Sequence, residues 1–138
     1  MNESGKPGTP LGFILLPMLS TFAIQRIILH HSSPETHVFV AGYLVHHLFW
    51  GFLIQFPAAC LLAFGGGGPR TRKVSWVALG VGSAMILDEV VFLIATDGSG
   101  RAYRSPVSLW GAAILVLIAS LLLLSLHRLT ARGLPPAR

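Results

Sequence analysis

Acidic residues are scarce in this chain: five in 138 residues, beside ten lysines and arginines. Charged residues of both signs make up 11% and hydrophobic ones 53%. That balance excludes an ordinary soluble domain, in which about a quarter of the residues are charged. Cysteine is confined to Cys60, which excludes an internal disulfide and any multi-cysteine zinc or iron–sulfur motif. The four-glycine run Gly65 to Gly68 lacks the Gly-Lys-Ser/Thr ending of a phosphate loop, so nucleotide binding is set aside and the run reads as a loop. The basic residues form no groove-like patch, and nucleic acid is not an expected partner. No internal repeat supports an inverted-repeat transporter.

What the chain has instead is apolar length. Mean hydropathy is +0.70, and the roughly 20-residue rule gives four spans. They cover about Leu11–Leu29, His37–Phe64, Val74–Thr96 and Pro106–His127. Ser33-Pro34-Glu35 reads as the start of the second helix, and Pro57 as a kink within it. Gly65 to Pro69 and Asp97-Gly98-Ser99-Gly100 are breaks. The expected fold is all-α: one domain, 1–138, forming a four-transmembrane-helix bundle. The leader, with Glu3 and Lys6, does not resemble a secretory signal peptide. Arg70, Arg72 and Lys73 in the second loop, with Arg128, Arg132 and Arg138 in the tail, place both termini in the cytoplasm by the positive-inside rule. A multi-pass protein of the cell (inner) membrane is the expected setting.

Two of the five acids, Asp88 and Glu89, lie side by side within the third span, and His46-His47 lies within the second. Ionisable groups in hydrocarbon cost about 2.5–3.5 kcal/mol each on insertion scales and persist when paired, liganded or used. Counting from His37 at 1.5 Å per residue sets the histidines about 13–15 Å below the outer surface. Counting back from Asp97 sets the acids at about 12–14 Å, level with them. Asp88 shares a helical face with Gly80 and Ala84, and Glu89 with Gly82 and Met85. Gly42 and Gly51 flank the histidines in the same way. Small residues mark close helix contact. Arg26, one turn nearer the outer surface than Asp88, is the candidate counter-ion. Tyr43 and Trp50 flank the histidines as packing residues or hydrogen-bond partners.

Three readings fit this constellation. A divalent metal, zinc or iron, would use His46, His47, Asp88 and Glu89 as ligands. Adjacent residues on a helix diverge by about 100°, so one histidine of the pair would bind while the other sits behind it or moves protons. A structural polar network with Arg26 is the second reading, and a proton or ion relay the third. The enzyme that the metal reading implies is a hydrolase acting on a lipid or membrane-embedded substrate, with Glu89 and His47 as catalytic acid/base groups. Ser20 and Thr21 lie at a matching depth, but such residues mostly bond their own helix backbone. The non-enzymatic alternative is a membrane subunit binding a metal or a tetrapyrrole through one histidine. Expected partners are membrane lipids and a second copy or a larger membrane complex. Outside the spans, His30, His31 and His37 with Glu35 form an exposed group. Tyr103, between Arg101 and Arg104, reads as an interfacial anchor or a contact to an anionic lipid head.

The run His46-His47-Leu48-Phe49-Trp50-Gly51, followed by Gly80-Val81-Gly82, by Asp88-Glu89 and by Tyr103, resembles a group of uncharacterised small prokaryotic integral membrane proteins. Those carry an HHxxxG helix, a GxG…DE helix and then an aromatic residue. The resemblance covers about 42–103 and implies a shared fold and site without supplying an activity. This chain departs from the group at Leu44, where some members have a further histidine, and at Arg104, where they tend to have tryptophan.

Overall fold

The structure is a computed structural model that describes residues 10–32, 46–65 and 67–132, with the backbone alone of 39–40 and 43–44. Its helices are α1 (Pro10–His31), α2 (His47–Ala63), α3 (Pro69–Ala95), α4 (Gly100–Tyr103) and α5 (Pro106–Ala131). Between α1 and α2, β1 (Phe39–Val40) pairs antiparallel with β2 (Tyr43–Leu44). Helices α1, α3 and α5 are long and apolar enough to cross a membrane. Helix α2 is apolar but has 17 residues, about 26 Å of helix.

The second expected span, His37–Phe64, is therefore corrected. Its helix begins ten residues later, at His47, after the short strand pair. The 38–45 stretch (Val, Phe, Val, Ala, Gly, Tyr, Leu, Val) is apolar without break and rich in β-branched and aromatic residues, a composition that a strand takes as readily as a helix. The helix start read at Ser33-Pro34-Glu35 lies outside the described residues, as does the Gly42 seam. The other three expected spans fall on α1, α3 and α5, which extend them by up to five residues at an end, α3 stopping one residue short of Thr96. Helix α3 takes in Arg70, Arg72 and Lys73 as its first turn.

Helix α3 is the hub: α1, α2 and α5 all pack on it. Its small residues set the distances. A Cβ on Gly80 would lie 2.3 Å from the Ile14 carbonyl oxygen of α1, and one on Gly51 of α2 would lie 2.7 Å from the Gly82 carbonyl oxygen. Glycine is what permits both approaches. The Gly80–Ala84–Asp88 face thus looks at α1, and the Gly82–Glu89 face at α2. Met18, Ala84 and Val116 close the core between α1, α3 and α5. Outside, Leu16, Phe52, Phe56, Trp110 and Leu121 are exposed, while the most deeply buried side chains include Asp88 and Ser108. Polar inside and apolar outside is the inverse of a water-soluble core, and it suits a lipid solvent.

The turns follow their caps. Ser99 accepts the Ala102 N–H and starts α4; Ser105, followed by Pro106, accepts the Ser108 N–H and starts α5. Gly98, at φ +74°, supplies the reversal out of α3. These caps fold α4 back over the end of the bundle where α1 and α3 finish.

Candidate functional site

At that end every helix contributes a polar group to one cluster. Asp88, fully buried on α3, receives Arg26 of α1: the guanidinium Nε donates to Asp88 Oδ1 at 2.6 Å. The two terminal nitrogens of Arg26 donate to the carbonyls of Asp88, Tyr103 and Ser108 and to the Ser108 hydroxyl, at 3.2–3.4 Å. The guanidinium also lies 5.0 Å from the centre of the Tyr103 ring. One side chain thereby fastens α1 to α3, α4 and α5.

The other oxygen of Asp88, Oδ2, accepts the Tyr103 hydroxyl and faces His47 Nε2 at 3.1 Å. The Tyr103 oxygen is itself 3.0 Å from that nitrogen. Tyr103 is held by Phe92, with ring centroids 4.7 Å apart. Burial, and next the facing Asp88 carboxylate, push its phenol well above the usual range. It therefore stays protonated and acts as a donor.

Glu89 serves α2. Its Oε2 accepts the Leu48 backbone N–H at 2.7 Å. Its Oε1 is 3.0 Å from His46 Nδ1 and 3.2 Å from His47 Nδ1. The N-cap residue His46 makes no side-chain cap of its own. The first N–H groups of a helix have no partners within it, and a carboxylate from the neighbouring helix meets both that need and the positive end of the helix dipole. His46 and His47 remain about one-fifth to one-quarter exposed, whereas Asp88 and Glu89 are shut off.

The structure thus brings together His46, His47, Asp88, Glu89, Arg26 and Tyr103. It does so at the mouth of α2 and not midway along it, so the depth counted from His37 does not apply. Tyr103 points inward to Asp88 and His47, not outward as an anchor. Trp50 lies half-exposed one turn along α2, apart from these contacts, and the side chain of Tyr43 lies outside the described residues. Ser20 bonds its own helix, donating to the Pro17 carbonyl. His30 and His31 stack edge to face at the exposed end of α1; Glu35 and His37 lie outside the described residues. Ser108 was not apparent as a site residue from sequence. Serines in apolar helices usually bond backward, as Ser120 does to Val116, and nothing local sets Ser108 apart.

A metal fits this cluster only in part. Among the described residues no group of three or more His, Cys, Asp and Glu is disposed to hold an ion. Asp88 is fully engaged by Arg26, Tyr103 and His47, and one oxygen of Glu89 by α2. The donors left to an ion are Glu89 Oε1 and the two imidazoles. Comparison with protein-family models, with curated proteins and with solved structures gives no match to this chain.

Proposed function

We propose that this chain is a four-pass inner-membrane protein, both termini cytoplasmic, whose buried cluster binds one exchangeable cation, a proton in the first instance. The observation that supports this is His47. Both of its ring nitrogens face carboxylate oxygens, at 3.1 and 3.2 Å. A neutral imidazole carries one N–H, so one of those contacts would set a bare lone pair against a carboxylate; the imidazolium hydrogen-bonds Asp88 through Nε2 and pairs by charge with Glu89 beside Nδ1. Charge counting agrees. Two buried carboxylates face one guanidinium, and one further positive charge closes the balance. His46–Glu89–His47–Asp88 is then a chain of alternating basic and acidic groups, with its histidine side partly exposed and its Arg26 side sealed. The four residues are those that carry the resemblance to small prokaryotic membrane proteins, and we propose that the group shares this centre. A role as a proton-binding or relay subunit, alone or in a larger complex, follows.

A divalent metal in place of that proton is the second reading, favoured by Glu89 Oε1. Metal bonds of about 2.1 Å in a tetrahedron put neighbouring donors about 3.4 Å apart, and Oε1 lies 3.0 and 3.2 Å from the two histidine nitrogens. Zinc or iron there would displace the histidine hydrogen bonds and take Glu89 and both histidines as ligands, so the membrane hydrolase with Glu89 and His47 as acid/base groups would require one of the two to leave the ion.

Infrared difference spectroscopy of the protein in lipid nanodiscs, stepped in pH, separates the cases. A proton centre gives an imidazolium signal in the parent and, in His47→Gln, a new carboxylic-acid C=O band as the proton moves to Asp88 or Glu89. A metal centre instead binds zinc stoichiometrically and releases the proton as it does so. Identical spectra for parent and variant, with no zinc bound, would overturn both.

A further inference from the structure

The opposite end of the bundle holds a cavity of about 340 Å³ where α2 gives way to α3. Leu61 and Leu62 of α2, Gly65 of the turn, and Arg72 and Trp76 of α3 line it. Gly65, at φ +65°, takes a backbone conformation that L side chains rarely adopt, and it lets the chain reverse so that both helices wall one space. Trp76 is backed by Phe13 of α1, ring centroids 6.0 Å apart. The Lys73 ammonium stands 5.6 Å from the centre of the same Phe13 ring.

The lining is of two kinds, aliphatic and indole surface on one hand and a single guanidinium on the other. Among the described residues the surrounding charge has one sign. Arg70, Arg72 and Lys73 open α3, Arg128 and Arg132 close α5 at the same end, and no Asp or Glu occurs in 10–32, 46–87 or 105–132. Leu61, lining the cavity yet 42% exposed, carries its apolar wall onto the outer surface of α2, where Phe64 is also exposed. Helix ends in a membrane lie at headgroup level, where tryptophan collects and anionic phosphates are dense.

We propose that this cavity binds an anionic glycerophospholipid, the headgroup phosphate on Arg72 and the acyl chains over Leu61, Leu62 and Trp76. The site is independent of the polar cluster at the other end. Its test uses the full chain in nanodiscs with Trp50→Phe and Trp110→Phe, which leaves Trp76 as the reporter. Brominated phosphatidylglycerol and brominated phosphatidylcholine are compared as quenchers at equal mole fraction. The expected result is a preference for phosphatidylglycerol of about fivefold, the scale of one basic side chain at such a surface, lost in Arg72→Gln and kept in Arg72→Lys and Arg128→Gln. The Lys variant guards against a mere folding defect. Equal quenching by the two lipids, or a preference that survives Arg72→Gln, overturns the proposal. So does an equal loss in Arg128→Gln, which marks a diffuse field and no site. Relief of the quenching by inorganic phosphate would assign the cavity to a free anion instead.

Discussion

Asp88 and Glu89 are neighbours in sequence with opposite surroundings. Asp88 looks toward α1, α4 and α5, is fully buried, and has a fixed donor on each oxygen, Arg26 on Oδ1 and the Tyr103 hydroxyl on Oδ2, with His47 of α2 beside the latter. Glu89 looks toward α2, and its partners are a backbone N–H and two histidines that keep partial access to the outside. A turn of about 100° along one helix separates a carboxylate held chiefly by a guanidinium and a phenol from one held by a backbone N–H and two imidazoles. Burial alone does not distinguish them; the nature of the donors does.

Removing Arg26 tests the Asp88 side and carries the largest expected effect. Arg26→Met leaves a buried carboxylate without its permanent counter-charge and strips donors from Ser108 and Tyr103. Breaking a buried pair from one side costs about 3–5 kcal/mol, so thermal unfolding in detergent should show severe destabilisation. Arg26→Met with Asp88→Leu should recover much of the loss. If the single variant melts like the parent, Asp88 is not the fastening carboxylate.

Glu89→Gln tests the other side at intermediate cost. The amide oxygen still accepts from Leu48, so what is lost is the charge in that bond and in the histidine contacts, about 1–2 kcal/mol. Helix α2 should loosen before the rest. Hydrogen exchange at the amides of 48–50 should rise while that of α1 and α3 stays unchanged; uniform exchange across the helices would erase the contrast between the two carboxylates.

Asp97 gives the smallest effect, as an acid belonging to neither side. It is fully exposed, and the Ser99 backbone N–H, followed by the Ser99 side chain, lowers its pKa. A depressed folded-state pKa gives stability that is present above the unfolded value of about 3.9 and lost as pH falls through the folded one. Asp97→Asn should remove this contribution: the variant melts slightly lower than the parent at neutral pH, converges with it in acid, and shows a flatter acid limb.

The sequence carried the identities of the cluster well, because charged residues in an apolar run have few ways to be satisfied: Arg26 with Asp88, and the histidines with the acids, follow from that scarcity. The glycine pattern also indicated which faces close on α3. Other features were hidden for physical reasons. The apolar 38–45 stretch has no periodicity that separates strand from helix, so α2 was read too long. Tyr103 reaches the interior through a four-residue helix whose placement depends on the Ser99 and Ser105 caps together, a three-dimensional effect of loop closure. Ser108 matters through its carbonyl and hydroxyl at one point in space, which a serine in an apolar run does not announce.

The reach of the Arg26 guanidinium also sets an order of assembly. Arg26 is made with the first helix, its carboxylate partner lies 62 residues later, and the Ser108 acceptors lie 82 residues later. On the four-pass reading proposed above, a chain that has inserted only α1 and α2 carries an unneutralised cation, which favours leaving α1 near the lipid surface until α3 arrives. Helix α5 then completes the acceptor set, so a chain truncated after α3 should remain a substrate for membrane quality control.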